Sequence, residues 1–406
     1  MTQLTHKRTV ALYPWFKFAQ NLVFWQAIWF LYFQNVLSAA EAILLYAVYD
    51  LSTMMLEVPS GWISDGLGRR LTLILSSLAG VLGGVLVVAG DGFAAFALAQ
   101  VAFGTAAALA SGTDSALLYE ALQADGREDE IEAQELRAWR FSFAALATSA
   151  ITGGAVALYF DVLTFAMSAV ASAAAVVLCW FMSDVDRPAT RNAFQALRTL
   201  WASLKQPVLV WLLALGVVMY GFSHLPFVFG QPFIVEALKG TGLQADAPLV
   251  SGAVTTSMMI ISVLTSLIAE RVRRRIGLTP LLLSAFALQI VIVAVLAATN
   301  SIAAIAVLLL RMVPDSMSRP FVLARIQPFL SDDSRATYLS VRALFARLTF
   351  AASLWMASLS VTTADQLPFE QISFILGWYA LAGVVFLCAL AISARALGSR
   401  LGGENG

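Results

Sequence analysis

Gly61-Trp62-Ile63-Ser64-Asp65-Gly66-Leu67-Gly68-Arg69-Arg70 is a short polar stretch set between two long apolar runs. Each run is long enough to cross a bilayer, and helix-breaking glycines with two fixed positive charges between such runs read as a tight cytoplasmic turn joining two membrane helices. Asp65 is the unusual member. A carboxylate at the helix end beside Arg69 and Arg70 accepts charge-assisted hydrogen bonds there, or from a neighbouring helix terminus, which makes the turn a candidate cytoplasmic gate.

Hydrophobic residues make up 60% of the chain and charged residues 12%, against about 45 to 50% and about 25% in an ordinary globular domain. The chain is therefore expected to be an all-α membrane protein. Its formal net charge is zero, so no nucleic-acid partner is expected and the placement of charge carries the information. Cys179 and Cys388 lie deep in apolar runs without metal-ligand spacing, and neither a metal nor a cofactor is expected. His6, Lys7, Arg8 and Lys17 precede an aromatic-rich run with no small-residue cleavage site, so the first helix is retained. No G-x-x-x-x-G-K phosphate loop is present, which points toward an ion gradient as the energy source of a transporter, and no enzymatic activity is expected.

Twelve apolar runs approach the 20 or so residues that a span requires. They fall near 15–36, 40–64, 71–90, 93–121, 136–158, 160–182, 207–235, 247–269, 278–298, 301–324, 337–361 and 369–394. Even parity puts both termini on one side. Lys7, Arg8, Arg69, Arg70, Arg127, Arg187, Arg271, Arg273, Arg274, Arg275, Arg335, Arg395 and Arg400 share one face under this alternation, while Lys239 stands opposite. The positive-inside rule makes the basic face cytoplasmic, with both termini there, as in a bacterial inner-membrane protein. The boundaries are 1–182 for an N-terminal six-helix bundle, 183–206 for a linker and 207–406 for a C-terminal bundle. In the linker Phe194, Leu197, Trp201 and Leu204 oppose Arg191, Arg198 and Lys205, the pattern of an amphipathic helix on the inner surface.

A shift of 205 lays Gly61–Arg70 on Ser266–Arg275, with Asp65 on Glu270 and Arg70 on Arg275. The same shift aligns Gln26 with Gln231, Asp114 with Arg319, Glu120 with Arg325 and Arg137 with Arg342. Two pseudo-symmetric halves follow. The spacing G-x-x-x-D-x-x-G-R-R, carried by Gly61, Asp65, Gly68, Arg69 and Arg70, resembles the signature between the second and third helices of the major facilitator superfamily. Gly66 stands where an Arg is common, Gln100 stands where the fourth-helix Arg of that family would precede Gly104, and Gly153-Gly154 is not the Gly-Pro pair of its antiporters. The segments 56–61 and 111–120 resemble a bacterial, proton-coupled branch that carries drugs or metabolites. The resemblance implies twelve helices in two six-helix bundles, a pathway lined by the first, fourth, seventh and tenth, and alternating access by rocking of the halves.

Ionisable residues inside a span are costly, at least about 2.5 kcal/mol on insertion scales, and so mark function. Asp50, Asp114 and Asp315 are the candidates for proton coupling; Glu57, two turns after Asp50, belongs with the gate. Arg311, Asp315 and Arg319 follow one another at four-residue spacing, leaving one excess positive charge for an anionic substrate group or for Asp114. Trp25, Gln26, Trp29, Tyr220, His224 and Gln231 complete a candidate substrate cavity, against the alternative that the aromatic stripes are packing or lipid belts. The reversed signs of Asp114 and Arg319, and of Glu120 and Arg325, suggest latches between the halves. The competing reading keeps Glu120 on Arg70 or Arg137 and Asp114 on Ser111 or Ser115. The expected function is proton-driven export of a small amphipathic molecule, with proton-coupled uptake of a small metabolite, anionic ones included, as the alternative. Small-molecule substrate, protons and membrane lipids are the expected partners of a monomer.

Overall fold

The computed structural model describes residues 2–184, 206–239, 241–326, 332–361 and 367–398. Among these residues every regular element is helical. The chain divides into two compact units, Met1–Thr190 with Pro248–Thr256 and Arg191–Ala247 with Ser257–Gly406. The amphipathic helix expected within 191–205 lies outside the described residues.

In the N-terminal half the helices are α1 (Thr2–Gln20), α2 (Trp29–Val36), α3 (Ala39–Leu67), α4 (Arg69–Ala89), α5 (Gly92–Ala110), α6 (Thr113–Ala124), α7 (Ile131–Ala157) and α8 (Asp161–Trp180). The C-terminal half holds α9 (Pro207–Val228), α10 (Gly230–Leu238), α11 (Ala247–Ile276), α12 (Leu278–Ala298), α13 (Ile302–Leu308), α14 (Val313–Ile326), α15 (Asp332–Leu359) and α16 (Phe369–Leu397). Eight helical stretches are long and apolar enough to cross a membrane by length and composition alone. The other four expected spans are α1–α2, α7, α13–α14 and α15, which are interrupted or carry several charged residues.

The interruptions fall on every third span. The first breaks between α1 and α2 around a 3-10 turn at Phe24–Ala27, the fourth at Ser111 and Gly112, the seventh at Phe229 and the tenth between α13 and α14. The other eight spans are each a single helix. A broken helix frees backbone groups that hydrocarbon cannot satisfy, so each break needs protein partners. At the first break Ser168 of α8 accepts from the Phe24 N–H at 2.9 Å. Gln26 donates to the Leu146 carbonyl of α7 at 2.9 Å and to Ser149 at 3.2 Å. Pro226 and Pro232 flank the seventh break, and Pro314 opens α14. Prolines there remove donors that a continuous helix would use.

The Gly61–Arg70 stretch is not a loop. Helix α3 runs through Gly61 and Gly66 to Leu67, and α4 starts at Arg69. The joint is one residue. Gly68 sits at φ 90° and ψ 155°, a backbone region essentially closed to L side chains. Gly277, between α11 and α12, repeats it at φ 83° and ψ 167°.

These boundaries correct the single shift of 205. Gly277 lies four residues beyond the position that the shift assigns to Gly68, whereas the start of α14, Val313, falls five short of that assigned to Thr113. Indels in the loops cancel along the chain, so the aligned charges share a sequence offset without a common place in their helices. Asp114 and Arg319, and likewise Glu120 and Arg325, thereby lose the symmetry argument for a latch.

In the N-terminal unit α4 packs between α5 and α8, α3 lies on α5, and α1 lies on α7. Val10, Tyr13, Phe16, Leu73, Leu117 and Cys179 belong to its core. Small residues permit the close approaches that substitute for a hydrophobic driving force in lipid. A Cβ on Gly84 would meet that of Ala169 at 2.7 Å, and one on Gly252 would overlap the Ala150 carbonyl. In the C-terminal unit α12 packs on α16 and α14, and α9 on α15. Leu78, Leu82 and Val85 on α4, and Trp378, Leu381 and Val385 on α16, remain exposed, an apolar belt suited to lipid.

Candidate functional site

At the α3–α4 joint, Arg69 is the hub. Its guanidinium reaches Asp65 at 2.8 Å and Glu120 of α6 at 3.2 Å, and donates to Ser64 at 2.7 Å. Thr113 donates in turn to Ser64 at 3.1 Å. Glu120 is nearly buried, its side chain 3% exposed against 32% for Asp65. The Arg69–Glu120 pair is thus the one screened least by water. The sequence offered Glu120 as a latch to Arg325 or as a partner of Arg70 or Arg137; within its own unit it pairs with Arg69. Arg70 turns away, donating its backbone N–H to Asp184 at 2.7 Å and its guanidinium to the Trp180 carbonyl at the end of α8 at 2.9 Å. A cation at a helix C-terminus complements the helix dipole. Arg137 is exposed and lies over Phe141 at 5.9 Å. A Cβ added at Gly61 or Gly66 would have nothing within 4 Å, whereas one at Gly68 would meet Asp184 at 2.6 Å.

A second polar cluster joins α1, α6 and α7. Asp114 pairs with Lys17 at 2.7 Å and accepts from the Ser115 N–H at 2.8 Å, and Lys17 also donates to Gln20 at 2.9 Å. Glu135, just ahead of the fifth span, lies close to Ser115, Asp114 and Lys17. Burial lifts the Glu135 carboxyl above its ordinary range; Asp114 adds to that rise, while the nearby Ser115 hydroxyl and Lys17 oppose it. The expected partners of Asp114 were Arg311, Arg319 or local serines; a lysine on the first span holds it. Lys17 was read only among the N-terminal basic residues and Glu135 was not singled out, because each sits near a helix end where no local pattern shows its partner.

Asp50 is fully buried on α3. Gly104 brings α5 close there, since a Cβ on it would meet the Tyr49 carbonyl at 2.9 Å and the Thr53 N–H at 3.0 Å. Glu57 is partly buried two turns on. Trp25 stacks on Phe165, the rings 5.9 Å apart and 6° from parallel, and lies 5.3 Å from Phe103. Trp29 is 2% exposed among Phe30, Phe33 and Tyr46. Both indoles are packing residues of the N-terminal unit in this conformation, and Gln26 serves the helix break.

The C-terminal unit holds the other candidates on one face of α9. Tyr220 and His224 lie 4.1 Å apart, ring to ring, and the His224 Nδ1 is 2.7 Å from the Tyr220 carbonyl. Arg347 of α15 donates to the Tyr220 hydroxyl at 3.1 Å. Arg311, between α13 and α14, donates to the Ser223 carbonyl at 3.1 Å and lies over Phe227 at 5.0 Å. Arg342 crosses Gly216, where a Cβ would meet its Cδ at 2.9 Å. Asp315 lies 3.5 Å from the Gln289 amide and within the electrostatic reach of Arg319, Arg311 and Arg342. Arg319 is exposed, Arg325 is partly buried, and Gln231 is buried on α10. Arg347 and Gln289 were not singled out from the sequence, because nothing local shows that α15 and α12 present them to α9 and α14. Among the described residues no group of His, Cys, Asp and Glu side chains is placed to hold a metal ion.

No curated protein matches the chain in sequence. Among solved structures, the nucleoside transporter NupG superposes with a TM-score of 0.77 at 13% identity, covering 95% of this chain and 98% of its own. The D-xylose-proton symporter gives 0.71 at 15% identity over 95% and 97%. The peptide transporter POT, solved with sulfate, gives 0.75 at 11% over 99% of both chains. At these identities the likeness is one of fold. The family model described as Major Facilitator Superfamily matches residues 11–391, nearly the whole of a helical chain that breaks every third span, and the chain belongs to that superfamily.

Proposed function

We propose that the protein is a proton-coupled secondary transporter of a small organic molecule, working by alternating access in a bacterial inner membrane with both termini cytoplasmic. One observation carries this reading: spans one, four, seven and ten are broken while the other eight are continuous. Discontinuous helices at membrane depth are tolerated where they are buried in protein or line a pathway, and they gather at the substrate and ion sites of transporters. Export of an amphipathic compound is supported by an expected lining that is aromatic and Met-rich with few fixed charges, within which Trp25 and Trp29 also pack on neighbouring rings. Arg311, Arg342 and Arg347, which contact α9 from neighbouring elements, support the alternative cargo, a small metabolite with an anionic group. Uptake of an anion runs against an inside-negative potential at about 2.3 kcal/mol per charge per 100 mV, and protons carried with it offset that cost.

Reconstitution into liposomes with an interior pH dye tests the reading. Uptake coupled to protons acidifies the interior on addition of substrate, and exchange for protons alkalinises it. Asp50→Asn is expected to abolish gradient-driven accumulation while leaving exchange measurable. Accumulation by that variant would move the proton site to Asp114 or Asp315.

A further inference from the structure

We propose that Asp315 is a proton-binding group and that the buried amide of Gln289 is the residue that holds its protonated form. The inference rests on the transporter reading above and adds, in the C-terminal unit, a second place for the coupled proton.

Asp315 stands in the first turn of α14, next to Pro314 and just after the break in the tenth span. Helix α12 brings Gln289 against it, 1% exposed. The Gln289 Nε2 faces two acceptors, the Met219 carbonyl of α9 at 3.3 Å and the Asp315 Oδ1 at 3.5 Å. That carbonyl decides which end of the amide is the nitrogen, because a flipped amide would set oxygen against oxygen. Both contacts are longer than the usual N–H···O limit of about 3.2 Å, so the amide is loosely held. Its Oε1 is buried and has no hydrogen-bond partner among the described residues.

A buried acceptor without a donor calls for a cause. An ionised Asp315 cannot supply the donor, since a carboxylate only accepts, whereas a protonated Asp315 carries an O–H. With the proton bound, the acid donates to Oε1 while its other oxygen accepts from Nε2, and both ends of the amide are engaged. The ionised form has other partners. Arg319 of the same helix, Arg311 at the break and Arg342 of α15 act on the carboxyl electrostatically, and Ser223 of α9 lies close to it. The ionisable groups of α9 itself are Tyr220 and His224, and α12 has none. Proton binding and release therefore exchange one set of partners, an amide, for another, the guanidiniums, at the point where the span is discontinuous. Discontinuous spans are where transporters gather their ion sites.

The test uses the full-length protein in nanodiscs of zwitterionic lipid. Infrared difference spectra between about pH 5 and about pH 9 are expected to contain a protonated-carboxyl C=O band that is lost in Asp315→Asn and retained in Asp50→Asn. Gln289→Leu is expected to shift that band and to weaken proton binding at Asp315 roughly three- to tenfold, the worth of one hydrogen bond. If Gln289→Leu fails to fold, Gln289→Asn, which keeps the amide and withdraws it by one methylene, supplies the same comparison. Absence of any band assigned to Asp315, or a band whose position and titration are untouched by both Gln289 variants, overturns the pair. Substrate-driven pH changes without an Asp315 band would remove the pair and keep the transporter; an Asp315 band in a protein that moves no protons with any substrate would do the reverse.

Discussion

At the residue scale the clearest case is glycine, where the motif contains three and the backbone demands one. Gly68 combines φ 90° with a neighbour 2.6 Å from any Cβ. Gly68→Ala is expected to cost about 1 to 3 kcal/mol through backbone strain alone, read as a lower unfolding temperature in detergent. Gly66→Ala, inside α3 with open space around it, should be neutral or stabilising by up to about 1 kcal/mol. Equal shifts in the two variants would remove the one-residue joint from the account. Glu135 gives a pH signature. Its folded pKa is raised, so its favourable contribution is full below the unfolded value of about 4.3 and is lost as pH rises through the folded one. Glu135→Gln should therefore stabilise the protein at pH 7.5, with the gain fading toward pH 4 in unfolding temperatures measured across the range. A gain that stays constant with pH would assign the effect to packing.

The elements show why the spans break where they do. Turn-formers explain part of it, since Gly112 in the fourth span adopts φ 73° and prolines mark the seventh and tenth. The first span has no such residue between Asn21 and Ile28. Its break depends on α7 and α8, which supply Ser149, Ser168 and the Leu146 carbonyl and leave room at Gly153, where a Cβ would overlap the Phe24 carbonyl outright. Gly153→Ala is expected to be the most disruptive of the small-to-larger changes on α7, at about 1 to 3 kcal/mol or more. Gly153→Ala should also raise hydrogen exchange at Phe24–Ala27, and unchanged exchange there would dissociate α7 from the break. Glu120→Gln removes the more buried partner of Arg69 and should cost more than Asp65→Asn, up to about 3 to 5 kcal/mol for the buried partner against about 0 to 1 for the exposed one. Denaturant unfolding of the two variants gives that ranking, and the reverse order would place the gate on the exposed pair.

At the scale of the whole molecule the distribution of charge is uneven. The expected spans of the N-terminal half contain Asp50, Glu57, Asp114 and Glu120 with Lys17, Arg137 and Arg140 near their ends, while those of the C-terminal half are dominated by arginine. The orientation that follows from the basic loops is checked by single cysteines in a Cys388→Ser background, with Cys179 left in place because it is buried. Glu128→Cys, exposed in the loop between α6 and α7, should react with an impermeant maleimide in inverted vesicles alone, and Asp91→Cys, before α5, in intact cells alone. The opposite pattern would invert the topology and turn the ion coupling around with it.

Hydropathy and the positions of arginine are properties of short stretches, so the sequence by itself determined the membrane class, the twelve spans and the doubled plan, and it singled out Asp65, Gly68 and Arg69. The expected function rested on the same local signals, and family membership supports transport without naming a cargo. Partnership is different in kind. Lys17 and Asp114 are 97 residues apart, Arg69 and Glu120 51, and Arg347 and Tyr220 127. No periodicity within a helix says which neighbour its polar face will meet, and a gapless repeat cannot see that loop indels slide one helix against its counterpart. Only the packed structure decided those pairings, stacked Trp25 on Phe165 and set the arginines along α9, because each depends on side chains that distant helices bring within reach.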